Sequence, residues 1–477
     1  MGKLKYTSDT IAAISTSSGD SGIGIVRISG SDAIAIADRI FVSKDKKLPS
    51  GFKTYTIHYG WIVDSSQLIV HSSQNKENEL PRNNIVDEVL LTVMRAPRSF
   101  TKEDIIEINC HGGPVAMRAV LDLALANGAR LAEPGEFTKR AFLNGRIDLA
   151  QAEAVLDVIS AKTEMALRVG ARQLAGVLSV KIEDIRSRIL EILALLEANI
   201  DFPEEEIGSI DFGRLCKAAD DIRSRISGIL DSANKGKIIR DGIKVVICGK
   251  ANVGKSSLLN ALLKEERSIV THIAGTTRDT IEEMIDIRGI PVCIVDTAGM
   301  LKPRDVIEKK ALKRSRKYIQ SADLLLLLFD AGKKLDKHDR MLIKKLSKKE
   351  CIAVINKIDL KARISKEEIK KYFDKVIEIS VKKHKNINIL EDTFTEWAFK
   401  GSYGAESVLI SNLRHIEALK SANKLVAEAR ELMDNKLSAE LIAQSLREAI
   451  SQLDLILGKN FNQDLIDKIF NDFCIGK

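Results

Sequence analysis

Residues 249–257 read G-K-A-N-V-G-K-S-S, and this stretch decides the fold of the middle of the chain. It follows an apolar run at 243–248 and precedes a helix-forming run at 258–263. In a phosphate-binding loop of this form, glycines let backbone N–H groups face phosphate oxygens, and the following helix presents its positive end. Lys255 balances the phosphate charge and Ser256 offers a hydroxyl to Mg²⁺. The stretch predicts a nucleoside triphosphate site, with an ordinary glycine-rich turn as the alternative.

A second motif indicates which base is bound. The apolar run 351–355 ends in N-K-x-D, formed by residues 356–359. The carboxylate of Asp359 can accept two hydrogen bonds from N–H groups of guanine, whereas adenine would leave it unpaired. Residues 380–382, S-V-K, match the weaker base-loop pattern S-A-K with Val in place of Ala. GTP is therefore favoured over ATP, and a plain turn at the end of a strand is the alternative.

Two further motifs lie between these, G-T-T-R-D at 275–279 and D-T-A-G at 296–299. They are typical of the two switch segments of a GTPase. Thr277 would reach Mg²⁺, the aspartate that opens the second motif would hold the metal through water, and the Gly299 N–H would sense the γ-phosphate. The next residue is Met300, where Ras-like GTPases carry a glutamine that orients the attacking water. Because a thioether cannot do this, either hydrolysis is slow or another group takes that role.

Length and composition are those of a soluble globular protein. The 477 residues allow about three domains, and 45% hydrophobic with 29% charged residues is ordinary. Neither a bilayer-length apolar run nor a signal pattern is found, so we expect a cytoplasmic protein with no membrane association. The six cysteines lack a C-x-x-C pair, which favours reduced thiols over a zinc site. The net charge of +8, densest at 302–317, permits a nucleic-acid partner, and a solvated basic helix face is the alternative.

Apolar periodicity divides the chain into four segments. Residues 1–127 alternate strand and helix patterns, with a polar loop insertion at 65–84, and residues 128–240 are helical. Residues 241–401 alternate again around the GTPase motifs, and residues 402–477 return to helices. We therefore predict an α/β plus all-α protein: an N-terminal α/β domain, then one discontinuous helical domain into which a Ras-like P-loop GTPase domain is inserted. The two ends of the inserted domain should lie close together.

With these residues in view, the chain resembles the bacterial and organellar tRNA-modification GTPases of the MnmE (TrmE) family along its whole length. The motifs that carry the resemblance are T-I-A-A at 10–13, G-I-V-R-I-S-G at 24–30, H-G-G-P at 111–114, P-G-E-F at 134–137, R-A-F-L-N at 140–144, D-L-A-Q-A-E at 148–153, G-T-T-R-D at 275–279 and the F-C-I-G-K end at 473–477.

The resemblance implies a homodimer formed through N-terminal domains, which would have the folate-binding fold of aminomethyltransferases. It also implies a heterotetramer with an FAD-containing partner, MnmG. Such a complex installs an aminomethyl or carboxymethylaminomethyl group at C5 of the wobble uridine in certain tRNAs. The one-carbon unit would come from 5-formyltetrahydrofolate or methylenetetrahydrofolate, and GTP hydrolysis would be required. A regulatory GTPase that binds RNA without modifying it, such as a ribosome-assembly factor, is the alternative.

The resemblance further implies a K⁺ ion in the place of an arginine finger, and it implies the remaining site residues. The K⁺ ligands would be Asn252, Thr271, Ile273 and Thr276. The Mg²⁺ ligands would be Ser256 and Thr277. The catalytic residues would be Glu308, which orients the attacking water, with Lys255 and Asn252. The full GTP-binding set is Asn252, Val253, Gly254, Lys255, Ser256, Ser257, Thr271, His272, Ile273, Ala274, Gly275, Thr276, Thr277, Asp296, Thr297, Ala298, Gly299, Asn356, Lys357, Ile358, Asp359, Ser380, Val381 and Lys382.

For the folate, the resemblance points to Arg27, Glu103, Arg146 and Lys477. Cations suit the carboxylates of a folate glutamate, and the Glu103 carboxylate can accept from pterin N–H groups. Taken singly, each of these residues is an ordinary surface charge. Cys474 would lie close to the chemistry, and a thiol that packs a helix end is the alternative.

Overall fold

The computed structural model describes residues 9–17, 19–64, 84–201, 211–263, 282–296, 317–399, 409–460 and 462–477. The chain forms two compact units, one of Met1–Leu156 with Leu457–Lys477 and the other of Asp157–Ile456. The boundaries predicted at 127, 240 and 401 do not coincide with the limits of these units, and the predicted domains stay predictions. Nearly all of the predicted loop insertion at 65–84 lies outside the described residues.

Helices make up much of the part of the chain that the structure describes. They include α1 Ala33–Ile40, α2 Pro114–Ala126, α3 Glu136–Leu143, α4 Leu149–Ser160, α5 Glu164–Leu174, α6 Val177–Asp201, α7 Phe212–Leu230, α8 Ala233–Asp241, α9 Lys255–Leu263, α10 Lys337–Leu346, α11 Lys366–Lys370, α12 Ile387–Phe399, α13 Leu413–Asp434, α14 Ala439–Leu457 and α15 Gln463–Asn471. None of them has both the length and the hydropathy that crossing a bilayer requires.

The first unit is built on a seven-stranded sheet of order β3-β4-β5-β6-β2-β1-β7. Its strands are β1 Ile11–Ile14, β2 Gly24–Ser29, β3 Phe41–Ser43, β4 Thr56–Val63, β5 Ile85–Met94, β6 Ile105–Cys110 and β7 Arg130–Leu131. Neighbours are antiparallel except for the parallel pair of β1 and β7. Because side chains alternate along a strand, Val26 and Ile28 of β2 enter the core beneath α1 and α2. Arg27 and Ser29 therefore face the opposite side of the sheet.

Around β1 and β2, that opposite side is covered by α3 and the C-terminal tail. Phe137 of α3 packs on Ile11 and Ala13 of β1. Phe470 and Phe473, in and after α15, pack in a cluster with residues of α3 and α4. The C-terminal segment thus belongs to the same unit as the N-terminal sheet.

The second unit contains a six-stranded sheet of order β13-β12-β11-β8-β10-β9. Its strands are β8 Ile243–Gly249, β9 Glu282–Ile287, β10 Ile290–Asp296, β11 Leu324–Asp330, β12 Cys351–Asn356 and β13 Val376–Glu378. All pairs are parallel except β9 with β10. A parallel sheet covered on both faces needs continuous apolar strands, and every residue of β11 is buried. The predicted P-loop α/β fold is confirmed, with the phosphate-binding sequence directly after the central strand β8.

Helices from both sides of the GTPase segment pack together in this unit. Helix α6 buries Ile185, Ile189, Ile192, Leu193 and Leu196, whose spacing predicts one apolar face. Helix α7 packs on α13, and an ion pair of 2.6 Å between Arg186 and Asp454 joins α6 to α14. The N–H of Ile410 donates to the Ser232 hydroxyl across 3.2 Å, so the chain after the GTPase segment lies beside α8, which precedes it. Helices that precede and follow the GTPase segment thus pack together, and the single discontinuous helical domain of residues 128–240 and 402–477 stays a prediction.

Candidate functional site

Two glycines give the phosphate-binding loop its shape. Gly249 and Gly254 have φ of +142° and +101°, in the region that favours glycine. A Cβ on Gly249 would lie 2.6 Å from the carbonyl oxygen of Leu328, and one on Gly254 would lie 2.3 Å from Nδ2 of Asn356. The loop therefore packs directly against β11 and the N-K-x-D segment, and no larger residue fits at either position.

The loop lysine is held inside its own loop. Lys255 is buried, and its Nζ donates to the carbonyl oxygen of Lys250 across 2.9 Å. Lys250 in turn lies 2.7 Å from a carboxylate oxygen of Asp336 and 2.8 Å from one of Asp339. The hydrogen bond from Lys250 holds the pKa of Asp336 below its usual value. Sequence reasoning missed this anchor, although the spacing of the two aspartates is that of a capping box at the start of α10.

One buried amide ties three nucleotide-binding segments together. Nδ2 of Asn356 donates to the carbonyl oxygen of Val253 across 2.9 Å. Its Oδ1 accepts from the N–H of Lys357 at 2.8 Å and from the N–H of Val381 at 3.2 Å. The phosphate loop, the N-K-x-D segment and the S-V-K segment are thus brought together as predicted.

Lys357 adds a second tie, which the sequence did not reveal. Its Nζ donates to the carbonyl oxygen of Asn252 and to Oδ2 of Asp330, both across 2.7 Å. Burial alone would raise the pKa of Asp330, but the hydrogen bonds from Lys357 and Gly332 lower it below its usual value. Asp330 ends β11 beside Asn356 in the parallel pairing, and that register is the signal that could have found it.

The carboxylate of Asp359, which is predicted to bind guanine, is exposed and held in one orientation. The Ser380 hydroxyl donates to Oδ1 of Asp359 across 2.5 Å, and this hydrogen bond lowers the pKa of Asp359. The aspartate is therefore ionised at neutral pH and accepts hydrogen bonds only. Ser380 is itself buried, so it fixes the carboxylate from below and leaves the outer oxygen open to solvent.

Most of the predicted switch residues lie outside the described part of the chain. Asp296 is the last residue of β10. The predicted residues outside the described part of the chain are Thr271, His272, Ile273, Ala274, Gly275, Thr276, Thr277, Thr297, Ala298, Gly299 and Glu308. Ser256 and Asn252 are described, and both are exposed residues of the phosphate-binding loop. Their hydroxyl and amide oxygens are ligands that suit hard cations such as Mg²⁺ and K⁺. The complete metal sites and the role of Glu308 stay predictions.

A second cluster of charged residues lies in the first unit, on the side of the sheet covered by α3. Nε of Arg27 donates to Oε1 of Glu107 across 2.8 Å, and Nη1 donates to the carbonyl oxygen of Gly476 across 3.4 Å. The guanidinium carbon lies 5.5 Å from the centre of the Phe137 ring. Arg27 is thus held by a carboxylate, an aromatic ring and the C-terminal tail.

Glu103 is held by a neighbouring group of buried residues. The Ser29 hydroxyl donates to its Oε2 across 2.7 Å, and Nη1 of Arg140 donates to both carboxylate oxygens across 3.2 Å. Arg140 is almost fully buried and also pairs with Asp9 at 2.8 Å and Glu136 at 3.0 Å. Sequence reasoning missed this role of Arg140 because Glu103 and Asp9 are 37 and 131 residues away in the chain.

The remaining residues of the predicted folate site, Cys474 and Lys477 in the tail and Arg146 after α3, also lie in the first unit. Pro134 and Ile475 form an isolated antiparallel bridge, and the N–H of Gly135 donates to the carbonyl oxygen of Cys474 across 3.3 Å. The Cys474 thiol is free and exposed. Lys477 is half-buried. The guanidinium of Arg146 lies over the Phe100 ring, 4.7 Å from its centre, and Phe100 packs with the cluster that contains Phe137.

Comparisons with known proteins extend over the whole chain. The family model of the MnmE helical domain matches residues 149–474, and that of the GTP-binding protein TrmE N-terminus matches residues 10–146. The tRNA modification GTPase MnmE of Clostridioides difficile (strain 630) is 45% identical over 475 residues, which are 99% of this chain and 100% of that protein. The protein of the same name from Carboxydothermus hydrogenoformans is 45% identical over 98% of this chain and 99% of its own length.

Two solved structures are each similar to a part of the chain. A crystal structure of Aquifex aeolicus Era bound to GDP and AlF4⁻ is 27% identical and covers 38% of this chain and 66% of its own, with a TM-score of 0.27. The G domain of the T. maritima FeoB iron transporter is 24% identical and covers 33% of this chain and 98% of its own, with a TM-score of 0.27.

Proposed function

Because the chain belongs to the MnmE family of tRNA modification GTPases, we propose that it hydrolyses GTP during modification of the wobble uridine in certain tRNAs. The product would be a 5-carboxymethylaminomethyl or aminomethyl group, formed with an FAD-containing MnmG partner and a one-carbon unit from a reduced folate. The observation that carries this proposal is the 45% identity over the full length of a tRNA modification GTPase.

Guanine selection follows from the base loop. Asp359 is an ionised acceptor whose direction is set by Ser380, so it pairs with the two adjacent N–H groups of guanine. Adenine presents no such pair and would leave the carboxylate desolvated without a partner. Asn356 keeps this reader at a fixed position relative to the phosphate loop through its bond to Val253.

Hydrolysis needs Lys255 to exchange its partner. The ammonium that now donates to the Lys250 carbonyl would donate to phosphate oxygens when GTP binds. Ser256 with Thr277 would hold Mg²⁺, and Asn252 with loop 271–276 would hold K⁺; together these cations offset the negative charge that develops on the phosphates. Glu308 would orient the attacking water, because Met300 cannot.

The folate would bind in the first unit. Arg27 and the adjacent tail, which ends at Lys477, offer cations to the glutamate carboxylates of the ligand, and Glu103 offers an acceptor to its pterin ring. The contact between Arg27 and Gly476 supports a site that combines both ends of the chain. Arg146 would add a further cation, and Cys474 would lie at the rim with its thiol exposed.

A homodimer through the first unit is supported by the outer face of its sheet. Ile57 and Tyr59 of β4 are 63% and 40% exposed, and Leu90 of β5, which pairs with Tyr59, is 44% exposed. Apolar and aromatic side chains grouped on one sheet face are typical of an interaction surface. A second copy of the same face would cover them in a two-fold arrangement.

Reduced-folate binding separates this proposal from a regulatory GTPase that binds RNA without modifying it. Calorimetry with 5-formyltetrahydrofolate on the intact protein should show binding, and preincubation with GDP should leave the binding detectable because the two sites lie in separate units. Hydrolysis of GTP by a protein that binds no reduced folate would support the regulatory alternative.

A further inference from the structure

Three hydrogen bonds around Glu103 form a closed ring. The N–H of Glu103 lies 3.2 Å from Oγ1 of Thr101, and Oγ1 of Thr101 lies 2.7 Å from the Ser29 hydroxyl. The Ser29 hydroxyl lies 2.7 Å from Oε2 of the same Glu103. Ser29 and Thr101 are both fully buried, so water does not compete for these bonds. The ring therefore joins the backbone amide of Glu103 to its own carboxylate.

Counting protons fixes the direction of every bond in the ring. A backbone N–H only donates, so Thr101 accepts from Glu103. Arg140 has donors only, so both carboxylate oxygens of Glu103 accept from its Nη1. The single proton of Ser29 then goes to Glu103, and the single proton of Thr101 goes to Ser29.

This arrangement leaves one direction for a ligand. The inner side of the carboxylate is occupied by Ser29 and Arg140, and the side chain retains 24% of its exposure. The Ser99 hydroxyl also donates to the carbonyl oxygen of Glu103 across 2.5 Å, which fixes the backbone that carries it. The remaining lone pairs of the Glu103 carboxylate point to solvent, where they can accept hydrogen bonds from a ligand.

We propose that Ser29, Thr101 and Arg140 are positioning residues that hold Glu103 as a fixed, acceptor-only group for the N–H donors of the pterin ring. The inference rests on the proposed folate site. A carboxylate that is oriented before binding loses less conformational freedom when the ligand arrives, so the ring raises affinity without touching the ligand.

A double-mutant cycle tests this inference by calorimetry with 5-formyltetrahydrofolate. Thr101→Val removes one hydroxyl from the ring at nearly constant volume and should weaken binding about five- to tenfold, as the loss of one hydrogen bond predicts. Ser29→Ala should act in the same way. In a Glu103→Ala background, measured at ligand concentrations that suit its weaker binding, Thr101→Val should weaken binding no further, because there is no carboxylate left to position.

The matched control is Thr138→Val, since Thr138 is also a fully buried threonine in this unit and takes no part in the ring. It should bind 5-formyltetrahydrofolate like the wild type, and thermal unfolding should show that all variants remain folded. Wild-type affinity in Thr101→Val, or an equal loss with and without Glu103, overturns the positioning role. Absence of binding to the wild type instead overturns the proposed folate site, so the two failures are distinguishable.

Discussion

Nη1 of Arg27 donates a hydrogen bond across 3.4 Å to the carbonyl oxygen of Gly476, 449 residues later in the chain. Gly476 is buried with a φ of +92°, and a Cβ at this position would lie 2.2 Å from the carbonyl oxygen of Ile14. Terminal residues usually fray, but these close against β1 and β2. The C-terminal tail and strand β2 therefore meet within the first unit, beside the residues proposed to bind folate.

Lifting the tail should weaken folate binding. In Gly476→Ala, the added methyl group would clash with the carbonyl oxygen of Ile14 and the backbone would be strained, so the tail should leave its position against the sheet. Deletion of residues 474–477 removes the tail altogether. Losing the charge-assisted contact between Lys477 and the folate carboxylates should cost about 1.5 to 3 kcal/mol, so calorimetry should show at least a tenfold loss of 5-formyltetrahydrofolate affinity. Intrinsic GTP hydrolysis should survive. Gly51→Ala, at a position with open space, is the control, and equal affinity in all four proteins would remove the tail from the site.

The cysteines should differ sharply in reactivity. Burial raises the pKa of Cys110 to about 11 and that of Cys351 to about 12, so both stay protonated thiols at pH 8. The exposed Cys474 should be alkylated by iodoacetamide first, as mass spectrometry of digested protein would show. Excess 5-formyltetrahydrofolate should slow this labelling. Labelling of Cys474 at the same rate with and without saturating folate would contradict its place at the rim.

Base selectivity should follow the charge at Asp359. Asp359→Asn replaces an acceptor-only group by an amide that also donates, so GTP affinity should fall on the order of 10²-fold while xanthosine triphosphate, with an oxygen at C2, gains affinity. Fluorescent-nucleotide competition measures both. The exposed Asp374→Asn is the matched control and should bind GTP normally. Retained GTP preference in Asp359→Asn would place base recognition elsewhere.

Hydrolysis should depend on potassium. The smaller sodium ion should fit poorly among Asn252 and the carbonyl groups of loop 271–276, so turnover should be much faster in KCl than in NaCl at matched ionic strength. Choline chloride serves as the ionic-strength control. Equal turnover in all three salts would contradict the role of potassium and would mean that another group of the protein offsets the charge on the phosphates.

Local sequence patterns predicted much of the fold. The features that they did not predict depend on residues that are far apart in the chain. Residues 1–127 were predicted to alternate strands and helices, and strands such as β2 and helices such as α1 are found there because each carries its own periodicity. The phosphate-loop motif and the base-loop motifs can likewise be recognised from a few consecutive residues. By contrast, β1 has only four residues, and α3 mixes buried charges with apolar residues, so neither has a periodic signal.

The site residues divide in the same way. Lys255 and Asp359 belong to short motifs, so their roles could be predicted from spacing alone. Arg140 acquires its role from Glu103 and Asp9, 37 and 131 residues away, and Lys250 from Asp336, 86 residues away. Such pairs form only when the fold brings them together, and a single sequence carries no record of that proximity.

Nucleoside mass spectrometry of tRNA tests the central claim most directly. Cells that lack this protein should lose the 5-carboxymethylaminomethyl or aminomethyl group from wobble uridine, and the wild-type chain should restore it. Lys255→Ala, which removes the phosphate-binding ammonium, should be made at normal levels and fail to restore it. Wobble uridines that carry the same modification in the presence and absence of the protein would contradict the account and leave a GTPase with another role.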